Sequence, residues 1–435
     1  MRRLIVALLL GAALAVRLAF VAAEPYHARN DAHAYTQLAS EVAGYGDYHS
    51  GSRPAAGGTL GPTAYFPPAF PYLLAVADLL DGHPTAVGPH RIEMAALGTV
   101  SVGLVGLVAL EAFGAGPALA ALALATFYPV MIELSGTLVA ENLVVALELA
   151  AAWAMLRARR AAGRRVWAWI AAAGALTGVA ALAHENAAVY ALGLGAGGWT
   201  VLRARGLKRA HALAGPAVLV AATCLAIAPW TLRNAVELHH FVPISDETGI
   251  TLAGTYNPVS AADPRVPYKW RLFSHVPQLR HYARHASGQT EVQLSAELEA
   301  AALRYIGAHP VAPLQAAADN TLRMFELEGT YAWRASAAAV GLRLGAARIG
   351  VYAFWTLCLL AIAGAFTPAA RRSPWWLWTL PLLWWITTVA VNVETPRFRE
   401  PIDPFLVALA GCAVAAAVRR LSGLGGAPVR RRRLA

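Results

Sequence analysis

Two residue types in this chain are suited to chemistry at a water-facing boundary, and both recur at the ends of long apolar runs. A carboxylate, Asp31, stands in RNDAHAYTQLASEVAGYG (29–46) directly after the first such run. A carboxylate can take the proton of an incoming hydroxyl. Guanidinium groups follow much later in the chain: Arg91, Arg233 in APWTLRN (228–234), and Arg397 and Arg399 in ETPRFREPIDP (394–404). Their planar forks grip phosphate through paired, charge-assisted hydrogen bonds. Glu141 in SGTLVAENLVV (135–145) and Glu148 seven residues on share one helical face, and His184 and Glu185 fill the short turn AHEN. Asp31, His184 and Glu185 offer a second reading as ligands of a divalent metal, although their spacing matches no ligand signature. Each group also has a structural reading. Asn30 or Asp31 before AHAYTQLA is a helix N-cap, and an arginine at a helix end can snorkel to headgroups or cap carbonyls.

The elements that must position these groups are set by composition. The chain has 435 residues, of which 57% are hydrophobic and 14% charged, and its mean hydropathy is +0.48. That is too apolar for a soluble chain of this length and describes an all-α polytopic membrane protein. Apolar runs of roughly 17 to 22 residues, each able to cross about 30 Å of hydrocarbon, predict ten transmembrane helices. They fall near 3–22, 91–112, 115–131, 138–156, 166–183, 186–202, 212–231, 348–366, 375–393 and 402–419. The net charge of +11 comes largely from short loops on one face: Arg2 and Arg3, RARRAAGRR (157–165), RARGLKRAH (203–211), Arg371 with Arg372, and the tail RRLSGLGGAPVRRRR. Positive loops mark the cytoplasmic side, so both termini are expected there, in an inner (plasma) membrane, and nucleic acid is not the expected partner. The opening MRR and FVAA resemble a signal peptide, but an uncleaved first span, with Arg17 snorkelling from its outer end, fits better. Cys224, Cys358 and Cys412 all fall in spans and suggest neither a disulfide framework nor a metal cluster. No glycine-rich loop ending in Gly-Lys-Ser or Gly-Lys-Thr occurs, which argues against ATP-driven work.

This topology divides the chain into a seven-span module (1–232), an outer-face segment (233–347), and three further spans with a basic tail (348–435). Residues 23–90 and 232–347 face outward. The first holds an amphipathic helix with Tyr35, Leu38, Ala39 and Val42 on one stripe, a Gly-rich piece (46–62), and YFPPAFPYLLAVADLL, long enough to lie on a membrane and too short to cross it. The second holds SDETGITLAGTYNP (245–258), read as a loop carrying Tyr256 and Asn257, and a helical pattern over 291–325 broken by Pro310 and Pro313. Short basic loops inside and elaborated ones outside put the working face outside.

In this order, Asp31 with Tyr35 and Leu38-Ala39, FPPAFPYLLA, Arg91, YPVMIELSGTLVAEN, APWTLRN, TGITLAGTYNP and PRFREPIDPFLVALAG resemble the GT-C glycosyltransferases of the protein O-mannosyltransferase and lipid A aminoarabinose transferase group. The ordered set covers most of the chain. The resemblance implies a GT-C-like fold and a transferase that moves a sugar, hexosyl or pentosyl, from a polyprenyl-phosphate donor to a lipid, glycan or protein acceptor on the periplasmic or extracellular face. It makes Asp31 the catalytic carboxylate. The next position, acidic in many relatives, is Ala32, and His184 stands where a basic residue often follows span five. Arg91, Arg233, Arg397 and Arg399 are then the donor-phosphate candidates, and Tyr35, Glu141, His184, Glu185, Tyr256 and Asn257 the expected pocket. Direct displacement with inversion is expected, since no second carboxylate is placed as a nucleophile. A multi-span secondary transporter or a lipid- or glycan-ligase-like protein is the alternative. A transporter, however, usually shows two related halves and charges near the midplane; this sequence shows no such halves, and most of its candidate charges sit at the outer rim.

Overall fold

The computed structural model describes residues 2–50, 61–82, 86–285, 288–393 and 395–423. Most of the Gly-rich piece and the end of the basic tail lie outside them. The apolar N-terminal run forms α1 (Arg2–Ala23), and the amphipathic segment after it forms α2 (Asp31–Tyr45), burying Tyr35, Leu38 and Ala39. A minimal antiparallel pair, β1 (His49–Ser50) with β2 (Gly61–Pro62), leads into α3 (Ala69–Asp81), against which α2 packs.

Helices then follow in close succession: α4 (Val87–Phe113), α5 (Ala115–Phe127), α6 (Pro129–Leu134), α7 (Glu141–Arg160), α8 (Arg165–Ala181), α9 (Tyr190–Arg203), α10 (Arg209–Ala212) and α11 (Ala214–Glu237). The run expected as one span over 115–131 is two helices. Tyr128 is extended (ψ 115°), as residues before proline tend to be, and Pro129 opens α6, where its missing N–H costs nothing. The outer segment carries α12 (Thr248–Thr255), α13 (Pro258–Ala261), α14 (Arg280–His285), α15 (Glu291–Ala308), α16 (Ala312–Met324) and α17 (Thr330–Ala339). The helical pattern over 291–325 is broken at Pro310, between α15 and α16, whereas Pro313 lies in the first turn of α16, where proline is tolerated. The expected loop over 245–258 is instead largely α12, packed on α15. The chain closes with α18 (Leu344–Ala365), α19 (Pro368–Arg371), α20 (Thr379–Val389) and α21 (Asp403–Leu421).

Among the described residues, five helices are long and apolar enough to cross a membrane: Arg3–Ala23, Val87–Phe113, Arg209–Glu237, Leu344–Ala365 and Asp403–Leu421. Helices occupy the other five expected positions too, but they are shorter or carry charge, as α7 does with Glu141 and Glu148. Close approach between α8 and α11 depends on Gly174 and Gly178. A Cβ on Gly174 would lie 2.2 Å from the Leu219 carbonyl oxygen, and one on Gly178 would lie 2.6 Å from that of Thr223. Small residues four apart let two membrane helices meet backbone to backbone. Gly174→Ala should therefore cost ~1–3 kcal/mol by overpacking and lower the thermal midpoint of the purified protein, whereas Gly11→Ala, facing open space, should not. Equal midpoints for the two variants would remove this account of the α8–α11 contact.

Candidate active site

Asp31 is the first residue of α2, but its side chain does not cap the helix. Asn30 holds the N-cap position, with no side-chain cap bond and a positive φ of 50°. The Asp31 carboxylate, 37% exposed, instead accepts a 2.7 Å hydrogen bond from Nη1 of Arg397. Nε of the same guanidinium donates at 2.8 Å to Glu141, which is fully buried at the start of α7. Arg397 lies in the turn Arg397–Arg399 before α21, with its guanidinium 4.5 Å over the Phe398 ring. Three residues up to 366 positions apart in sequence thus form one chain: exposed carboxylate, guanidinium, buried carboxylate.

The scaffold of this chain is polar and local. The amide of Asn142 donates to the carbonyls of Leu134 (3.0 Å) and Thr137 (3.2 Å), fixing the turn that delivers Glu141. Tyr26 accepts from the Leu138 N–H at 3.1 Å. Arg91 ties the same turn to the end of α1, donating to the carbonyls of Gly136 (2.7 Å) and Val21 (2.9 Å) while resting on the Tyr26 ring. A buried polar network of this kind is specific only when its members are satisfied, and here most donors have named acceptors.

His184 and Glu185 border the cluster. The His184 ring packs edge-on against Trp384 and Phe398, and Glu141, Glu185, Arg397 and Asp31 all act on its charge. Burial outweighs the carboxylates and lowers its pKa, which favours the neutral imidazole. Glu185 accepts a hydrogen bond from the Ser245 hydroxyl, linking the AHEN turn to the outer segment. Tyr35, wedged between Phe66 and Phe70, forms an aromatic wall beside Asp31.

The other expected residues serve elsewhere. Arg233 donates to the carbonyls of Tyr48 (2.7 Å) and Thr63 (2.8 Å) and stacks on Trp230, so it pins the strand pair. Arg399 is buried 3.7 Å from the Phe354 ring centre, bonded to Glu326 (2.9 Å) and Asp403 (3.2 Å); a small cavity lined by Glu133, Glu326, Trp333 and Thr395 opens on it. Of the four arginines, only Arg397 bonds Asp31 and Glu141. Tyr256 donates to the Ala390 carbonyl, and Asn257 caps α13. Both are buried; Tyr256 fastens the outer segment to the end of α20, and Asn257 organises the segment itself. Among the described residues no three His, Cys, Asp or Glu side chains are grouped as metal ligands, so the metal reading of Asp31, His184 and Glu185 lacks a donor set.

Sequence reasoning missed Asp246 and Glu247. Glu247 sits at the N-cap of α12 and feels Glu185, Asp31 and Asp246 as like charges, with Arg397 as the opposing one. Burial, then these carboxylates, push its pKa well up. Asp246 is buried, neither carboxylate oxygen has a partner, and its pKa is pushed up to about 8 by burial and then by Glu291. The folded chain holds this proton at pH values where the unfolded chain has released it. Stability from this group is therefore full below the ordinary Asp range, near pH 4, and is lost as pH rises towards 8. Asp246→Asn should give a thermal midpoint that falls less steeply between pH 5 and 8 than wild type, and an unchanged slope would refute this assignment.

A family model for dolichyl-phosphate-mannose-protein mannosyltransferase matches residues 66–230. No curated protein sequence matches the chain. The chain superposes on the oligosaccharyltransferase AglB of Archaeoglobus fulgidus, bound to an inhibitory peptide and a dolichol-phosphate, with TM-score 0.55 and 13% identity, covering 97% of this chain and 52% of that one. The apo form of the same enzyme gives TM-score 0.56 at 13% identity and the same coverage. The chain thus spans about half the length of these structures, and it shares their fold. ArnT of Cupriavidus metallidurans bound to undecaprenyl phosphate is a weaker likeness, with TM-score 0.44, 17% identity, and coverage of 98% of this chain and 81% of that one.

Proposed function

We propose that this chain is a GT-C-type membrane glycosyltransferase that moves a sugar from a polyprenyl-phosphate donor to an acceptor hydroxyl on the outer membrane face. The observation that carries the reading is the partly open Asp31 carboxylate, oriented by Arg397, which is in turn anchored on buried Glu141. The family match over 66–230 and the shared fold support it. In the reaction, the acceptor oxygen forms a bond to the anomeric carbon as the bond from that carbon to the phosphate oxygen breaks. The bonding pair leaves with the phosphate, and the hydroxyl proton passes to Asp31. A glycosyl phosphate already has a good leaving group, so one base and one cation suffice. Arg397 orients the base and offers positive charge to the departing phosphate. A single displacement inverts the anomeric centre.

The same reading includes ten spans with both termini in the cytoplasm, the seven-span module 1–232, the outer segment 233–347 as a lid that selects the acceptor, and three closing spans. Incubating the purified full chain with polyprenyl-phosphate sugars and an envelope extract should release polyprenyl phosphate. Solute uptake into proteoliposomes with no release would favour the transporter instead.

A further inference from the structure

Among the described residues, Asp246 and Glu247, with Glu185 acting on both as a like charge, form no ion pair of their own. Arg397 is already paired with Asp31 and Glu141. Glu291 is satisfied by the Thr63 hydroxyl at 2.7 Å and the Ala64 N–H at 2.5 Å, and Glu185 by the Ser245 hydroxyl. Asp246 is left 92% buried with both oxygens unpartnered, next to a half-buried Glu247 that feels three like charges. Resting on the proposed transferase reading, we infer that Asp246, Glu247 and Glu185 form a subsite for a positively charged ammonium or guanidinium group on the acceptor, beside the hydroxyl that Asp31 deprotonates.

The alternatives to an organic cation are weaker. Among the described residues no set of three carboxylate, imidazole or thiol side chains is close enough to hold a metal ion, whereas an ammonium or guanidinium reaches separate carboxylates through its several N–H donors. Without a cation, burial and crowding leave Asp246 holding a proton, a state that an incoming cation would relieve. The donor's phosphate is the wrong partner for this wall. It must approach Arg397, and the outer segment and the AHEN turn offer it only carboxyl groups there, with no cation among the described residues to receive it. The cluster therefore faces the acceptor.

The test uses the full-length protein in lipid nanodiscs and two hydroxyl-bearing probes, N-acetyl-Lys-Ser-Lys-amide and N-acetyl-Glu-Ser-Glu-amide. The lysine probe should bind more tightly than the glutamate probe. The Asp246→Asn/Glu247→Gln double variant, close in shape to wild type, should weaken lysine-probe binding about tenfold, as expected for loss of charge-assisted bonds. Glu297→Gln, changing a carboxylate on α15 outside the cluster, should leave that binding unchanged. Equal binding of the two probes, or undiminished lysine-probe binding by the double variant with its thermal midpoint intact, would overturn the subsite. Because binding is read without turnover, these outcomes are separate from the transferase reading, which fails only if no polyprenyl phosphate is released.

Discussion

Asp31→Asn should leave a folded protein whose sugar transfer falls by about 10²- to 10⁴-fold, the usual contribution of a positioned general base. The fold should survive because Asn is isosteric and its carbonyl oxygen still accepts from Arg397. The pair it weakens is also partly exposed, a setting in which ion pairs contribute little. Nor is a cap lost, since Asn30 holds that position and Asp31 only adds negative charge to the first turn. The loss should appear in kcat, with the donor KM nearly unchanged, because the carboxylate acts on the acceptor proton as the transition state forms. Release of polyprenyl phosphate by the purified variant, followed beside its thermal midpoint, decides the matter. Wild-type turnover by a folded Asp31→Asn protein would end the base assignment.

How far this site was legible depended on what kind of signal each residue leaves. Asp31, Glu141, His184, Glu185 and Arg397 stood out because charge at the outer end of an apolar run has no topological reason to be there, and these five gather in one place. Arg91, Arg233 and Arg399 give the same signal for another reason. At span ends a guanidinium can also gather loop carbonyls, as Arg233 does with those of Tyr48 and Thr63, and sequence does not separate that use from ligand binding. The cap reading of Asp31 failed because Asn30 precedes it and Arg397, 366 residues away, competes for its carboxylate.

The outer segment misled for a different reason. Gly249 and Gly254 lower helix propensity, and eight residues are too few to show a helical period, so SDETGITLAGTYNP reads as a loop. Those glycines are what allow α12 to form where it does. A Cβ on Gly249 would meet the Ser295 carbonyl oxygen at 1.9 Å, and one on Gly254 would meet Trp270 at 2.2 Å. Tertiary packing overrode local preference, and with it Glu247 moved from an unremarked loop to the edge of the site. Ten apolar runs were legible, but among the described residues only five of the helices they form are long and apolar enough to cross a membrane; Pro129 splits one of the other runs, buried charge sets α7 apart, and α8, α9 and α20 are short.

Arg397→Met should be the most damaging single change, because it acts on stability and catalysis together. It leaves Glu141, which is 0% exposed, as an uncompensated buried carboxylate, a loss of about 3–5 kcal/mol. It also removes the group that orients Asp31 and the positive charge facing the leaving phosphate, for a further fall of roughly 10²- to 10³-fold in turnover, as when one preorganised donor is deleted. The two effects separate in the double variant Arg397→Met/Glu141→Gln. Making the buried partner neutral should restore most of the thermal midpoint, because replacing both members of a buried pair is far milder than breaking it. Activity should stay at the level of the single variant, since nothing then orients Asp31. Arg397→Lys tests the geometry. It keeps the charge but offers a point donor where a fork now bonds two carboxylates at 2.7 and 2.8 Å, so it should fold better than Arg397→Met and remain slow. A double variant that regains turnover along with stability would show that Arg397 matters only to the fold, and the leaving phosphate would then need another partner among the arginines that now hold loop carbonyls.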